Sequence, residues 1–281
     1  MSIYLLRVLI KVLSRMSVHE AIKQALETGS PLLVGRNGST ELNYLVGGDV
    51  GIWGPILEQV SGIWNKYEEF KSDTLAATYA ADLLVTGWYE PLAAQEAQLL
   101  SKYAGSRITL RDLEPWNGSR FSELFAGQHL TVISAFADTI AKQYNRRNEI
   151  WPDSLLPELS QLTTIRTGFS PRIAGSNTRC RWPSHIRSWS DAVDHVVNQV
   201  PSTSRIVLVG CGAIGMPIAR RLKERGHIVI VMGGAMQLLF GIKGRRWRKE
   251  PIAAVWNDAW TNPSPHEKPA AANLIEAACY W

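Results

Sequence analysis

Residues 205 to 231 constrain the fold more than any other part of this chain. Arg205-Ile-Val-Leu-Val209 is a short apolar run rich in β-branched residues, the pattern of a buried strand. Gly210-Cys-Gly-Ala-Ile-Gly215 follows, then a stretch at helical spacing from 216 to 225, then a second apolar run, Ile228-Val-Ile-Val231. Together they make a βαβ unit, and two parallel strands joined by a crossover helix belong in a sheet covered on both faces. The expected fold class is therefore α/β: a mainly parallel, Rossmann-like sheet with helices on both faces.

The rest of the chain fits one such domain. At 281 residues and 46% hydrophobic content it can bury a large core. Ser17-Val-His-Glu20 reads as a capping box opening a helix that Gly29 and Pro31 stop, so a structural unit starts at residue 17. The expectation is a single domain over 17 to 281, preceded by a basic amphipathic helix over 1 to 16. Leu32-Leu-Val34, Ile108-Thr-Leu110 and Leu130-Thr-Val-Ile133 read as further strands. From Pro55 to Tyr103 the apolar spacing is mostly helical, with Ile56, Val60, Ile63, Trp64 and Tyr67 on one face, and helices are expected at 137 to 147 and 189 to 199. Residues 168 to 185 read as a mobile loop or lid, and the proline-rich tail from Asn262 to Pro269 as extended along the surface.

Charge and composition narrow the partners. A net charge of +5 suits an acidic one, but no nucleic-acid-binding motif accompanies it, so nucleic acid is not expected. No segment approaches the ~18 uninterrupted apolar residues of a membrane span. Arg7, Lys11 and Arg15 lie at i, i+4, i+8 in residues 1 to 16, which suits a helix on an anionic membrane surface or one docked on the domain or a second subunit. Cys180, Cys211 and Cys279 have neither zinc nor disulfide spacing, which points to a reducing compartment: cytoplasmic is the expectation, with peripheral attachment to the membrane's inner face following only from the membrane reading of that helix.

Two glycine-rich turns and one acidic loop carry the candidate chemistry. Gly210, Gly212 and Gly215 lie between strand and helix, where backbone N–H groups hold a phosphate or diphosphate; a purely structural tight turn is the alternative. A nicotinamide dinucleotide would call for a carboxylate at the end of the next strand, and that strand ends Val231-Met232-Gly233, so NAD is not expected. Gly233 and Gly234 open a second glycine-rich stretch whose Lys243, Arg245 and Arg246 can neutralise a phosphorylated ligand and whose Gln237 can reach a base or a sugar hydroxyl. Arg36, Asn37, Gly38, Ser39 and Glu41 occupy the turn after Leu32–Val34, the end of a parallel strand where ligands bind. Glu41 is a candidate general base, with service to a helix N-terminus as the alternative, and Asp138 is a second candidate base with a helix N-cap as its alternative. Eleven tryptophans are many for this length, and Trp247, Trp256 and Trp260 are candidates for a stacking wall, with core packing as the ordinary explanation.

The run Gly233-Gly-Ala-Met-Gln-Leu-Leu-Phe-Gly-Ile-Lys-Gly-Arg-Arg-Trp247 resembles the signature of a family of glycosyltransferases from bacterial surface-polysaccharide clusters and large viruses, similar to the GT-D fold. Val34-Gly-Arg-Asn-Gly-Ser-Thr-Glu41 and Ile133-Ser-Ala-Phe-Ala-Asp-Thr-Ile-Ala-Lys-Gln-Tyr144 resemble two further family segments. Leu156-Pro157, Trp189, the loop from Gly210 and the stretch Cys279-Tyr-Trp281 match in the same order. Two positions depart from the pattern: Ser39 stands where the Asp-x-Glu motif has aspartate, and Ala135 where proline is usual. The resemblance implies transfer of a sugar from a nucleotide-sugar donor to a surface glycan or lipid-linked acceptor, with Glu41 as base or as ligand of Mn²⁺ or Mg²⁺. Ser39 would be a weaker metal partner than aspartate. A non-catalytic nucleotide- or glycan-binding module and a nucleotide-dependent oxidoreductase are the rival readings.

Overall fold

The computed structural model describes residues 16–47, 66–249 and 252–281. In chain order its elements are α1 (Val18–Thr28), β1 (Leu32–Gly35), α2 (Ser39–Leu45), α3 (Tyr67–Tyr79), β2 (Leu83–Val85), α4 (Ala93–Leu99), β3 (Ser106–Ile108), β4 (His129–Ser134), α5 (Ala137–Tyr144), α6 (Arg147–Ile150), β5 (Gln161–Arg166), α7 (Pro171–Ala174), α8 (Trp189–Val197), β6 (Ile206–Gly210), α9 (Gly215–Glu224), β7 (Ile228–Val231) and α10 (Met236–Leu239). Short 3₁₀ turns occupy much of the remainder.

The seven strands form one sheet in the order β3-β2-β1-β7-β6-β4-β5. Every pairing is parallel, so the expected α/β, Rossmann-like sheet is what the chain forms. At its centre Leu32, Leu33 and Val34 pair with Ile228, Val229 and Ile230. Alternation along the strands divides the core in two. Leu32, Val34, Leu130, Val132, Leu208 and Ile230 meet α1 and α5 on one face. Leu33, Leu84, Val207, Val209 and Val229 meet α3, α8 and α9 on the other. Central strands buried on both faces need continuous apolar runs, which is why β6 and β7 stand out in the sequence.

Local signals hold where chemistry is local. Ser17 caps α1: its hydroxyl accepts from the Glu20 amide while the Glu20 carboxylate accepts from the Ser17 amide, and Gly29 ends the helix at φ 70°. The expectation of mostly helical structure from Pro55 to Tyr103 needs correction, because β2 lies between α3 and α4. Ile56, Val60, Ile63 and Trp64 fall outside the described residues, as does the helix expected over 1 to 16. The strand expected at Ile108–Leu110 sits earlier, since Leu110 opens a 3₁₀ turn capped by Thr109 and Asp112. Strand β5 was not anticipated. The helix expected at 137 to 147 ends at Tyr144, with α6 as a separate turn.

Residues 168 to 185 contain α7 and are stitched to the tail. Asn177 donates to the carbonyls of His266 and Lys268, and the amides of Ala270 and Ala271 donate to those of Ala174 and Ile173. The tail in turn is not simply laid over the surface, because Glu267 is 2% exposed. Among the described residues no helix is long and apolar enough to cross a membrane.

Candidate active site

A cleft opens outside the carboxyl ends of β1, β4, β6 and β7, the place where open parallel sheets bind ligands. It encloses about 1170 Å³, its open mouth included. The turn after β1 contributes Arg36, Gly38, Ser39 and Glu41; the turn after β6 contributes Gly210 and Gly212; the stretch after β7 contributes Gly233, Gly234, Gln237 and Arg246. Three segments far apart in sequence therefore converge, and they include ten of the residues singled out from sequence.

Glycine is required where the turns crowd each other. Gly212 and Gly233 adopt φ 68° and 60°, a region that costs other residues about 1–2 kcal/mol. A Cβ on Gly210 would lie 2.7 Å from the Gly233 carbonyl, so the turns after β6 and β7 touch backbone to backbone. Their glycines build a low floor under the cleft.

Arg36 lies across that floor. Its guanidinium stacks 4.6 Å from the centre of the Trp88 ring and would be 3.5 Å from a Cβ on Gly233. Its Nε is buried without a hydrogen-bond partner among the described residues, and burial pulls its pKa below the ordinary arginine value. A donor held dry and unpaired at a cleft wall is poised for a ligand's acceptor atom.

Glu41 is the carboxylate of the site. It sits in the first turn of α2, whose N-cap is Gly38, and a Cβ on Gly38 would collide with the Glu41 carboxylate. Gly38 thus makes the space into which Glu41 folds back. Burial holds the Glu41 carboxyl above its ordinary value, aided by Glu276, while its own backbone amide, the Arg36 charge and the Gly38 amide pull the other way. A carboxyl with a raised pKa in a cleft is a proton-transfer group in waiting. Cys211 lies nearby, but burial pushes its thiol far up, so it holds no nucleophilic thiolate at neutral pH.

The wall opposite comes from the tail. Arg246 Nη1 donates to the Tyr280 hydroxyl at 2.8 Å and lies 3.4 Å from the Glu276 carboxylate. Gln237 Nε2 donates to the Tyr280 carbonyl, leaving Gln237 Oε1 buried without a partner among the described residues. Trp281 packs edge-on to Phe136 at 5.6 Å, and with Phe169 and Trp88 completes an aromatic lining. Glu276, Ala277 and Ala278 all have positive φ (44°, 54° and 58°), a strained left-handed turn at the cleft's edge.

The remaining candidates lie elsewhere. Asn37 is 2% exposed, and its amide is spent on Thr78. Gly215 begins α9 behind the cleft; a Cβ there would make only ordinary contact with Val209 and Val231. Lys243 stacks on Trp256, and Arg245 donates to the Ala277 carbonyl. Trp247, Trp256 and Trp260 are not lining residues: all three pack on the core, and Trp260 meets Trp151 and Trp256. Their spacing suited either role, and the apolar face of the sheet claimed them.

Asp138 requires a correction as well. It does not cap α5, whose first amides belong to Glu267: Glu267 Oε1 accepts from Asp138 N at 2.8 Å and Thr139 N at 3.2 Å. Asp138 instead faces Arg179, Arg166 and His266, at 3.1, 3.8 and 3.6 Å, outside the main cleft. Sequence reasoning missed Trp88, Phe136, Phe169, Glu276 and Tyr280 as lining residues. Only the resemblance over Cys279–Trp281 hinted at the tail.

The donors fit a divalent ion poorly. Among the described residues no group of three or more His, Cys, Asp or Glu side chains is placed to hold a metal. The cleft's carboxylates are Glu41 and Glu276, set beside Arg36 and Arg246. Divalent hard cations want several oxygen ligands, while arginines offer fixed positive charge directly. Comparisons with protein-family models, curated proteins and solved structures returned no match.

Proposed function

We propose that the protein is a glycosyltransferase that moves a sugar from a nucleoside diphosphate donor to a cell-surface glycan or lipid-linked acceptor. The observation that carries this reading is the convergence of an arginine and a raised-pKa carboxyl from the turn after β1 on the glycine turns after β6 and β7, in one cleft. The resemblance to GT-D-like enzymes points the same way.

In this reading the donor's diphosphate rests on the turns at Gly210–Gly212 and Gly233–Gly234, where it meets backbone rather than side chains. Arg36 and Arg246 neutralise the charge that grows on the leaving group. The acceptor's hydroxyl oxygen attacks the anomeric carbon, its proton passes to the Glu41 carboxylate, and the bond to the diphosphate breaks with its electron pair leaving on the diphosphate oxygen. The unpaired Gln237 Oε1 accepts a hydrogen bond from a sugar hydroxyl or the base. Mn²⁺ or Mg²⁺ remains an implication of the resemblance, and no step here passes through it. Attachment to the cytoplasmic membrane face, suggested by Arg7, Lys11 and Arg15, would bring the enzyme to a membrane-proximal acceptor.

A non-catalytic binding module is the second reading. It is favoured by the place of Glu41 in the first turn of α2, where a carboxylate serves the helix without any reaction. One experiment separates the two. Thermal shift with UDP-, GDP- and CDP-sugars, with and without Mn²⁺, should show stabilisation by one nucleotide class and none by NAD(P). With that donor, Glu41→Gln should lower transfer by roughly 10²–10⁴-fold while donor binding persists. Full transfer by a folded Glu41→Gln protein would remove Glu41 from the chemistry; donor binding without any transfer by the wild type would favour the binding module.

A further inference from the structure

Behind the first cleft lies a second cavity of about 1100 Å³, its mouth included, at the carboxyl end of β5. The two abut, because Thr167 and Gly168 line both. The turn from β4 into α5 runs along the same border, giving Ala135 and Phe136 to the first cavity and Ala137 and Asp138 to the second. This partition is tightly built. A Cβ on Gly168 would collide with the Trp182 amide nitrogen, and the Phe169 amide donates to the Cys180 carbonyl at 2.7 Å.

The second cavity has a marked charge imbalance. Arg166, Arg179 and Arg181 line it, and among the described residues Asp138 is its one carboxylate. Asp138 draws in Arg179 and, at longer range, Arg166, while Arg181 spends one donor on the Gly175 carbonyl. Each guanidinium has five N–H donors, so most of this capacity is uncommitted. All three are exposed to solvent, yet they come from β5 and from the loop before α8 and line one concavity. Planar, forked donors in that setting match a phosphate or carboxylate.

We propose that this second cavity is the acceptor's anion site: it holds an oxyanion carried by the acceptor, while the hydroxyl to be glycosylated reaches past Thr167 and Gly168 into the first cleft. The assignment rests on the glycosyl-transfer reading of that cleft. It also supplies what Trp247, Trp256 and Trp260 do not, a place for the acceptor next to the donor. The oxyanion has two chemical sources, the diphosphate of a lipid-linked acceptor or the carboxylate of an acidic glycan.

Calorimetric titration with inorganic pyrophosphate and with D-glucuronate, each with and without saturating UDP, tests the assignment. The proteins are wild type, Arg166→Gln/Arg181→Gln and Arg246→Gln; Arg179 stays in place because it pairs with Asp138. With UDP filling the first cleft, at least one anion should still bind the wild type, and the affinity of that UDP-insensitive binding should fall at least tenfold in Arg166→Gln/Arg181→Gln and be unchanged in Arg246→Gln, the variant of the first cleft. Pyrophosphate binding would identify the lipid-diphosphate source and glucuronate binding the acidic glycan. Absence of binding by both anions, displacement by UDP, or equal affinity in a folded Arg166→Gln/Arg181→Gln protein would overturn the assignment. If an anion binds at these arginines but no nucleoside diphosphate binds the protein, the second site stands and the glycosyl-transfer reading falls.

Discussion

Glu267→Ala is the substitution whose cost is best defined by the geometry. The Glu267 carboxylate is 2% exposed and accepts three hydrogen bonds from the start of α5: Asp138 N, Thr139 N and Thr139 Oγ1. Removing it strips a helix of its N-terminal acceptor, worth about 0.5–2 kcal/mol. It also leaves the Thr139 hydroxyl without the acceptor of its proton in a site that is 4% exposed, worth about 1–3 kcal/mol more. The expected loss is therefore about 1.5–5 kcal/mol, a large part of the ~5–15 kcal/mol that holds a typical domain together. Urea unfolding followed by tryptophan fluorescence should show it as a lower midpoint. Glu267→Gln should cost less, because one oxygen can still accept from the two amides. Phe136, the residue preceding α5, lines the first cleft, so Glu267→Ala should also weaken nucleotide binding. A loss below about 0.5 kcal/mol, or equal losses for alanine and glutamine, would refute the claim that this carboxylate anchors the tail to α5.

Two further outcomes follow from the cleft itself. Burial raises the Glu41 pKa, so the folded protein holds a proton that the unfolded chain releases near pH ~4.3; the group's contribution to stability is complete below that pH and is lost as pH rises through the folded value. Glu41→Gln should accordingly be more stable than wild type at pH 7, the gap closing toward pH ~4, and a glutamine variant that melts lower at pH 7 would show that the helix-terminal contacts outweigh burial. Gly212→Val places a β-branched residue at φ 68°, which should cost at least about 1–2 kcal/mol and weaken nucleoside diphosphate binding. Unchanged affinity in a folded Gly212→Val protein would remove this turn from the site.

The sequence showed the fold best where the apolar run was both continuous and bounded. Ile228–Val231 was legible residue for residue, because a central strand buried on both faces leaves no room for a polar side chain. Edge strand β5, Gln-Leu-Thr-Thr-Ile-Arg, has only Ile165 fully buried, so it carries no such run. Leu83–Val85 is a three-residue strand close behind the end of α3, too short to break the helical spacing. For the site, the turns after β1, β6 and β7 were legible because parallel sheets bind ligands at strand ends. The tail was not: that Tyr280 meets Arg246 and Glu267 meets Asp138 depends on long-range packing, which residue spacing does not encode. The same limit separates Trp88, stacked on Arg36, from Trp260, buried in the core.

The central pairing of β1 with β7 has a temporal consequence on the ribosome. Its two partners are separated by nearly the whole described domain, so at about 5–20 residues per second β1 emerges roughly 10 to 40 s before the strand that flanks it. Once Leu83–Val85 has emerged, Leu32–Gly35 can pair with β2 on one side, while its other edge keeps its backbone N–H and C=O groups unpaired until β7 arrives. Slow codons between β2 and β6 would lengthen the exposure, whereas a chaperone that covers the nascent β1 edge would shorten it in effect. Yield of soluble protein should therefore respond to elongation rate more steeply than the stability of the finished sheet would suggest.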